Sequence, residues 1–377
     1  MKVLFVVPRF HTNQLEWIKL LKEHDHELAI YAQFQGFTEN YSELKPKIVK
    51  PSLLSKIRLD WIDNSKEKDN LKSIKRMKAF SPSILDLYFQ IRSFNPDIVI
   101  CRDRTKLTAV TNFLCKILGV KCVLYNQVAY YSVGDRSPVK RLLNKLIFPK
   151  YRMTPVLGNE SNTDMVNNTF YIPFAINSNN KIEREYLRDN RINILSIGKF
   201  YERKNHAMLI RVCKRLIEDD LNIHLTIIGE NSNQTNEDHL KKIKGIISEE
   251  KIDDYITIKT NISHELVSEE YFKNDIFVLA STKEQAAVSH LEAMAHGLLS
   301  ICSNTNGTAS YIEDGKTGYI FNDMDQDDLY SKLRYICMNS TNIKTMGENS
   351  LHHIEKKHSG KAIYKRYEEL FEKTLEH

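Results

Sequence analysis

No apolar run in this 377-residue chain is long enough to cross a bilayer as a helix. The longest, VLFVV and DIFVLA, fall far short of the roughly 20 residues that a span requires. The opening MKVLFVVPRFH ends its apolar core at Pro8 and Arg9, too early for a secretory leader. No C-x-x-C pair occurs among the six cysteines Cys101, Cys115, Cys122, Cys213, Cys302 and Cys337. They are scattered, mostly through apolar stretches, which disfavours a metal site and fits reduced thiols in a cytoplasmic protein. There is no repeat with a period of about 20–50 residues and no low-complexity segment, so solenoids and biased linkers are set aside. The basic stretches lack aromatic residues at base-stacking spacing, which disfavours nucleic acid as a partner.

What is present is a mixed, globular composition, 42% apolar and 27% charged, in a chain too long for one ordinary core. The net charge of +6 is unevenly held. Residues 1–176 carry 27 Lys and Arg against 16 Asp and Glu, and the remainder 27 against 32. The first half is therefore expected to meet something anionic. Short β-branched runs alternate with helix-length amphipathic segments: KVLFVV, ELAIYA, DIVIC, KCVLYN and TPVLG, then INILSIG, IHLTIIG, YITIK, DIFVLA and LSICS. The alternation pauses over the polar residues 177–191 and is irregular over 45–80. Two such arrays predict an α/β protein with two parallel sheets, each covered by helices on both faces. Ligands then bind beyond the carboxyl ends of the strands, which selects the loops to read for chemistry.

One such loop opens the stretch EQAAVSHLEAMAHG, with Glu284 following a strand and Glu292 eight positions on. Ser289 and Glu292 also fit a capping box, in which Glu292 serves only its own helix start. In SIGKFYERKNHAMLI, Gly198 ends a strand, Lys199 follows it and Lys204 opens the next helix. Two cations beside free helix N–H groups suit a diphosphate. LTIIGENSN brings Glu230 to the same sheet edge, and SNTNGTASYIEDGKTGYIF places Asn306-Gly307 after another strand.

In this order the pieces resemble the retaining glycosyltransferases of family 4, which have the GT-B fold of two Rossmann-like domains facing each other across a cleft. The likeness covers the whole chain and is strongest over 192–321. That family's Gly-Arg-x-x-x-x-Lys segment corresponds to Gly198, Lys199 and Lys204. Its second segment, Glu, seven residues, then Glu-Ala-Met-Ala-x-Gly, corresponds to Glu284, Glu292, Ala293, Met294, Ala295 and Gly297. The resemblance implies an acceptor-side domain over 1–176, a donor-binding domain over 177–360 and a last helix, 361–377, crossing back to the first domain. It implies that Glu284 and Lys204 are catalytic, with Glu284 by the donor sugar and Lys204 on the departing diphosphate. It further implies donor binding by Gly198, Lys199, Lys204, Glu230, Glu292 and the segment Ala286, Ala287, Val288 and Ser289. His11, Asn13, Arg102, Arg104, Asn126 and Gln127 fall on acceptor-side loops. No metal and no cofactor is implied, since the nucleotide-sugar is a substrate and no Asp-x-Asp cluster stands in an otherwise suitable loop.

The chain departs from the family in having Lys199 for arginine, Ala287 for glycine, and Ala280 and Leu299 for proline. Its first loop, PRFHTNQLEW, lacks the usual Gly-Gly, and Asn126-Gln127 stand where many members have a histidine. The activity implied is metal-independent, retaining transfer of a hexose from a nucleotide-sugar, a UDP-sugar, to a lipid-linked or growing saccharide. Its setting would be capsule, lipopolysaccharide or exopolysaccharide biosynthesis. The alternatives are a non-catalytic GT-B partner subunit and a GT-B nucleotide-sugar epimerase. In SPVKRLLNKLIFPKYR, Leu142, Leu143, Leu146 and Ile147 alternate with Lys140, Arg141, Lys145 and Lys150. This reads either as a solvated helix or as a peripheral contact with the anionic cytoplasmic face of the inner membrane, where a polyprenyl-diphosphate-linked acceptor resides.

Overall fold

The computed structural model describes residues 1–35, 41–65, 75–127, 137–157, 168–176 and 184–376. The side chains of Lys140 and Arg141, and residues 177–183 of the polar pause, lie outside the described residues. The first sheet has seven strands: β1 Lys2–Val7, β2 Glu27–Ala32, β3 Lys47–Ile48, β4 Ile98–Arg102, β5 Lys121–Tyr125, β6 Tyr151–Thr154 and β7 Thr169–Tyr171. They are parallel and ordered β3-β2-β1-β4-β5-β6-β7. The second has six: β8 Ile192–Ile197, β9 Ile223–Gly229, β10 Ile256–Thr260, β11 Ile276–Leu279, β12 Leu299–Ser303 and β13 Gly318–Phe321. These too are parallel, ordered β10-β9-β8-β11-β12-β13. Two doubly wound α/β domains result, as the alternation of strands and helices predicts.

The strands read as unbroken apolar runs because both faces are covered. Along β1, Val3, Phe5 and Val7 enter one core while Leu4 and Val6 enter another. Helices Leu15–Glu23 and Gly360–Leu375 cover the first face through Trp17, Ile18, Tyr367 and Phe371. Helices Leu53–Asp63, Ile84–Phe94 and Lys106–Leu118 cover the second. Helix Pro138–Ile147 lies beside the last of these, with Asn112 Nδ2 donating to the Ile147 carbonyl at 2.9 Å.

The structure corrects three local expectations. Of the described residues of TPVLG, Thr154 alone is in a strand, as the last residue of β6, and Pro155, which has no N–H to give the ladder, follows it. The irregular stretch 45–80 contributes β3 and helix Leu53–Asp63, which Ser52 caps by accepting from the Ser55 amide. The β7 and β13 strands, three and four residues long, were hidden among turn residues.

The domains share one continuous apolar cluster. Leu291, Met294, Ala295, Tyr311 and Ile354 of the second pack with Trp17, Tyr125, Phe174 and Tyr367. Hydrogen bonds cross the same seam, from Tyr311 Oη to the Pro155 carbonyl at 2.8 Å and between His358 Nδ1 and the Phe174 carbonyl at 3.1 Å. The last helix lies against the first domain, where Tyr364 stacks on His24 and Arg366 donates to the Tyr171 carbonyl.

Candidate active site

The order of the second sheet reverses between β8 and β11, and the loops leaving these strands meet there. After β8 the chain passes Gly198, whose amide donates to the Ile228 carbonyl at 2.9 Å. A Cβ on residue 198 would stand 2.9 Å from Lys204 Cε, so a side chain there would press on the lysine where it crosses the strand end. Lys204 closes the short turn Glu202–Lys204 and donates to Glu284 Oε2 at 2.6 Å. Arg203 Nη1 donates to the same oxygen, also at 2.6 Å. The Glu284 and Lys204 side chains are only 12% and 11% exposed. Burial pushes the Glu284 carboxyl up, but Lys204 and then Arg203 outweigh it and hold the group below its ordinary range.

The loop carrying Glu284 is pinned from two directions. The Thr282 amide donates to the Arg203 carbonyl at 2.9 Å, and the Gly307 amide to the Glu284 carbonyl at 2.8 Å. Any side chain at 307 would put its Cβ 2.0 Å from the Gln285 carbonyl oxygen, so the approach requires glycine. Lys199 and Glu230 stand at the same edge as an exposed pair, 2.7 Å apart.

Helix Val288–Ala295 begins at Ala287, and no side chain caps it. Ala286 and Ala287 precede the helix, Val288 and Ser289 form its start, and the first-turn amides of an uncapped helix favour an anion. The capping box does not form, because Ser289 lies inside the helix rather than at its cap. Glu292 instead accepts at Oε2 from the buried Tyr271 hydroxyl at 2.8 Å, and its Oε1 lies 3.8 Å from His264 Nε2. One carboxylate oxygen is thus held by the protein while the other faces outward.

The acceptor-side residues occupy the carboxyl edge of the first sheet. His11 and Asn13 follow β1, Arg102 ends β4, and Asn126 and Gln127 follow β5. Gln127 Nε2 donates to Tyr125 Oη at 2.6 Å, and the Arg102 guanidinium lies over the Tyr125 ring at 5.7 Å. The Asn126 amide donates to the Met153 carbonyl. Arg104 turns away from this group to lie over Phe148.

Two residues of the site escape a reading of the sequence. Arg203 was overshadowed by its neighbour Lys204, although two adjacent cations at a strand-end turn are themselves a signal. Tyr271 carries no local signal, since it reaches Glu292 from another helix. The triplet Asp323-Met324-Asp325 does occur, but it serves local structure. Asp323 accepts from Thr305 at 2.7 Å, and Asp325 caps helix Gln326–Met338 by accepting from the Asp328 amide. No group of three or more His, Cys, Asp or Glu arranged to hold a metal occurs among the described residues.

Two Rossmann-like domains that share one seam define the GT-B architecture. Residues 177–353 match the family model described as glycosyl transferases group 1. The chain is 22% identical over 369 residues to the capsular polysaccharide biosynthesis glycosyltransferase CapM of Staphylococcus aureus, covering 95% of this chain and 88% of that protein. It is 26% identical over 185 residues to spore coat protein SA of Bacillus subtilis, 48% of either chain, so the match spans about half of that relative's length. The crystal structure of HepE from Anabaena in complex with UDP superposes with a TM-score of 0.72 at 12% identity, over 99% of this chain and 100% of that one. That last likeness is one of fold.

Proposed function

We propose that the protein is a glycosyltransferase that moves a sugar, with retention, from a UDP-sugar to a lipid-linked or growing saccharide. It works without a metal, in the biosynthesis of a surface polysaccharide such as capsule. The observation that carries this reading is the buried Lys204–Glu284 pair at the switch point of the second sheet. In the ligand-free state Lys204 and Arg203 share the one carboxylate, which leaves a positive charge in excess. A donor whose diphosphate enters beside the uncapped helix at Val288 draws both cations onto the phosphates. Charge grows on the leaving diphosphate in the transition state, where fixed cations in a dry site act most strongly. Glu284, released from both cations, faces the sugar's hydroxyls, and the other oxygen of Glu292 accepts from the ribose.

Peripheral attachment to an anionic membrane fits the first domain. Its outer helical layer exposes Leu53, Leu54, Ile57 and Trp61, then Ile84, Leu85 and Phe89, Phe113 and Ile117, and finally Leu142 and Leu146. Residues 50–150 set 20 Lys and Arg against 8 Asp and Glu. Among the described residues no helix is long and apolar enough to cross a membrane.

The test is donor turnover across a panel of UDP- and GDP-sugars. The wild-type chain transfers or slowly hydrolyses one of them, and Lys204→Ala loses about 100-fold or more in kcat, as removal of one preorganised charge-stabilising group does. Unchanged turnover in Lys204→Ala sinks the assignment.

A further inference from the structure

The first sheet also reverses its order, between β1 and β4, and a cavity of about 230 Å³ opens at that point. Arg9, His11, Phe34, Met77, Arg102 and Asp103 form most of its wall. The crevice at a switch point is where open parallel sheets take their ligands. This one is the counterpart, in the first domain, of the place that Lys204 and Glu284 occupy in the second.

The wall is charged and incompletely satisfied. Arg102 is 8% exposed, and its Nη1 has no hydrogen-bond partner. Its nearest carboxylate oxygen, Asp103 Oδ2, lies 3.5 Å from Nε. Burial raises the Asp103 carboxyl, with Arg102 opposing, so the single acid of the wall is a weak counter-charge. Along the same edge Asn13 Oδ1, Gln14 Nε2 and both amide atoms of Gln33 are buried without partners. Buried polar atoms in native proteins nearly always have partners, so a cluster lacking them points to an absent ligand or water. Burial, with Arg102 and Arg9, pushes His11 down to about 3, so it stands as a neutral imidazole able to donate one hydrogen bond.

Size and geometry narrow the ligand. A whole small-molecule site encloses roughly 300–1,000 Å³, so this cavity takes a group rather than a molecule. Guanidinium forks match phosphate oxygens, and donors converging from two loops suit a tetrahedral anion better than a planar carboxylate. Phe10, between Arg9 and His11, belongs to the interdomain cluster against which Ala286 and Val288 pack. The crevice therefore adjoins the cleft beside the donor helix.

We propose that this crevice binds a phosphate ester carried by the acceptor, with Arg102 and Arg9 on its oxygens and the rest of the acceptor extending into the cleft. Anion binding follows from the geometry alone; that the anion belongs to the acceptor rests on the glycosyltransferase reading. A prenyl diphosphate and a soluble sugar phosphate both carry this group.

The test uses the full chain carrying Lys204→Ala, which removes the buried cation of the other site. Inorganic pyrophosphate is titrated calorimetrically into this variant, and into the same variant with Arg102→Gln added. The expected result is one binding event in the first, weakened at least about tenfold in the second. Arg9→Gln replaces Arg102→Gln if melting shows the latter unfolded. Equal affinity in both proteins, or binding of glucuronate in place of pyrophosphate, overturns the proposal. In otherwise wild-type enzyme, Arg102→Gln raises KM at least about tenfold for the acceptor actually used. A lipid-linked diphosphate saccharide and a sugar 1-phosphate, compared side by side, identify which source that is. Transfer with an unchanged acceptor KM overturns the crevice and spares the glycosyltransferase reading. Arg102-dependent pyrophosphate binding with no transfer to either acceptor does the reverse.

Discussion

The Glu292 carboxylate has one short hydrogen bond, from Tyr271 Oη to Oε2, while His264 Nε2 lies 3.8 Å from Oε1. That bond fixes which oxygen remains for a ligand. Tyr271→Phe keeps the ring that stacks on His296 at 4.8 Å and removes only the donor. A hydrogen bond to a charged carboxylate contributes about 1.5–3 kcal/mol, which corresponds to a rise of at most about ten- to 150-fold in donor KM. Because ribose contacts are made alike in ground and transition states, kcat should hold. A fall in kcat with KM unmoved contradicts the assignment of Glu292 to the ribose. At this scale, position along the chain put Glu284 and Lys204 at strand ends and Glu292 in the helix that follows, while the resemblance to a family supplied their expected roles. Their partners were less legible, since Tyr271 arrives from another helix and no period of one segment encodes a contact with the next.

At the scale of elements, helix Pro138–Ile147 and its neighbours present apolar side chains to solvent beside cations. Trp61 is 73% exposed and Leu142 61%. Large apolar patches left outside a soluble domain mark interaction surfaces, and the interleaved positive charge selects an anionic one. Neutralising Lys140, Arg141 and Lys145 together should abolish most binding to vesicles containing anionic lipid. Wild-type binding should fade as ionic strength rises, because the attraction is screened. Binding to neutral vesicles with equal affinity, or none at low salt, would mean a solvated face. The amphipathic period of this helix stands in the sequence. The matching face of helix Leu53–Asp63 does not, because its exposed Leu53, Leu54, Ile57 and Trp61 look like core residues until the sheet is seen to lie on the other side. The two-residue strand before it is equally hidden, being too short for any alternation to register.

Over the whole molecule, two sheets of the same topology turn their switch points to one cleft, and the helix that follows the Glu284 loop is also the seam. Helix Val288–Ala295 begins at the proposed diphosphate site, while Leu291, Met294 and Ala295 on its inner side pack with Trp17, Phe174 and Tyr367. Alternating strands and helices announce two domains, yet they do not say which apolar residues face the other domain, so this seam was not legible beforehand. It has a thermodynamic consequence. Domains joined by a shared core lose it together, so the chain should melt in one calorimetric transition despite its two sheets. Met294→Ala deletes fully buried atoms from that seam, at a cost of about 2–5 kcal/mol. The single transition should move down as a unit. Two resolved transitions, with only the second domain's shifted by the substitution, would show that the seam does not couple the domains.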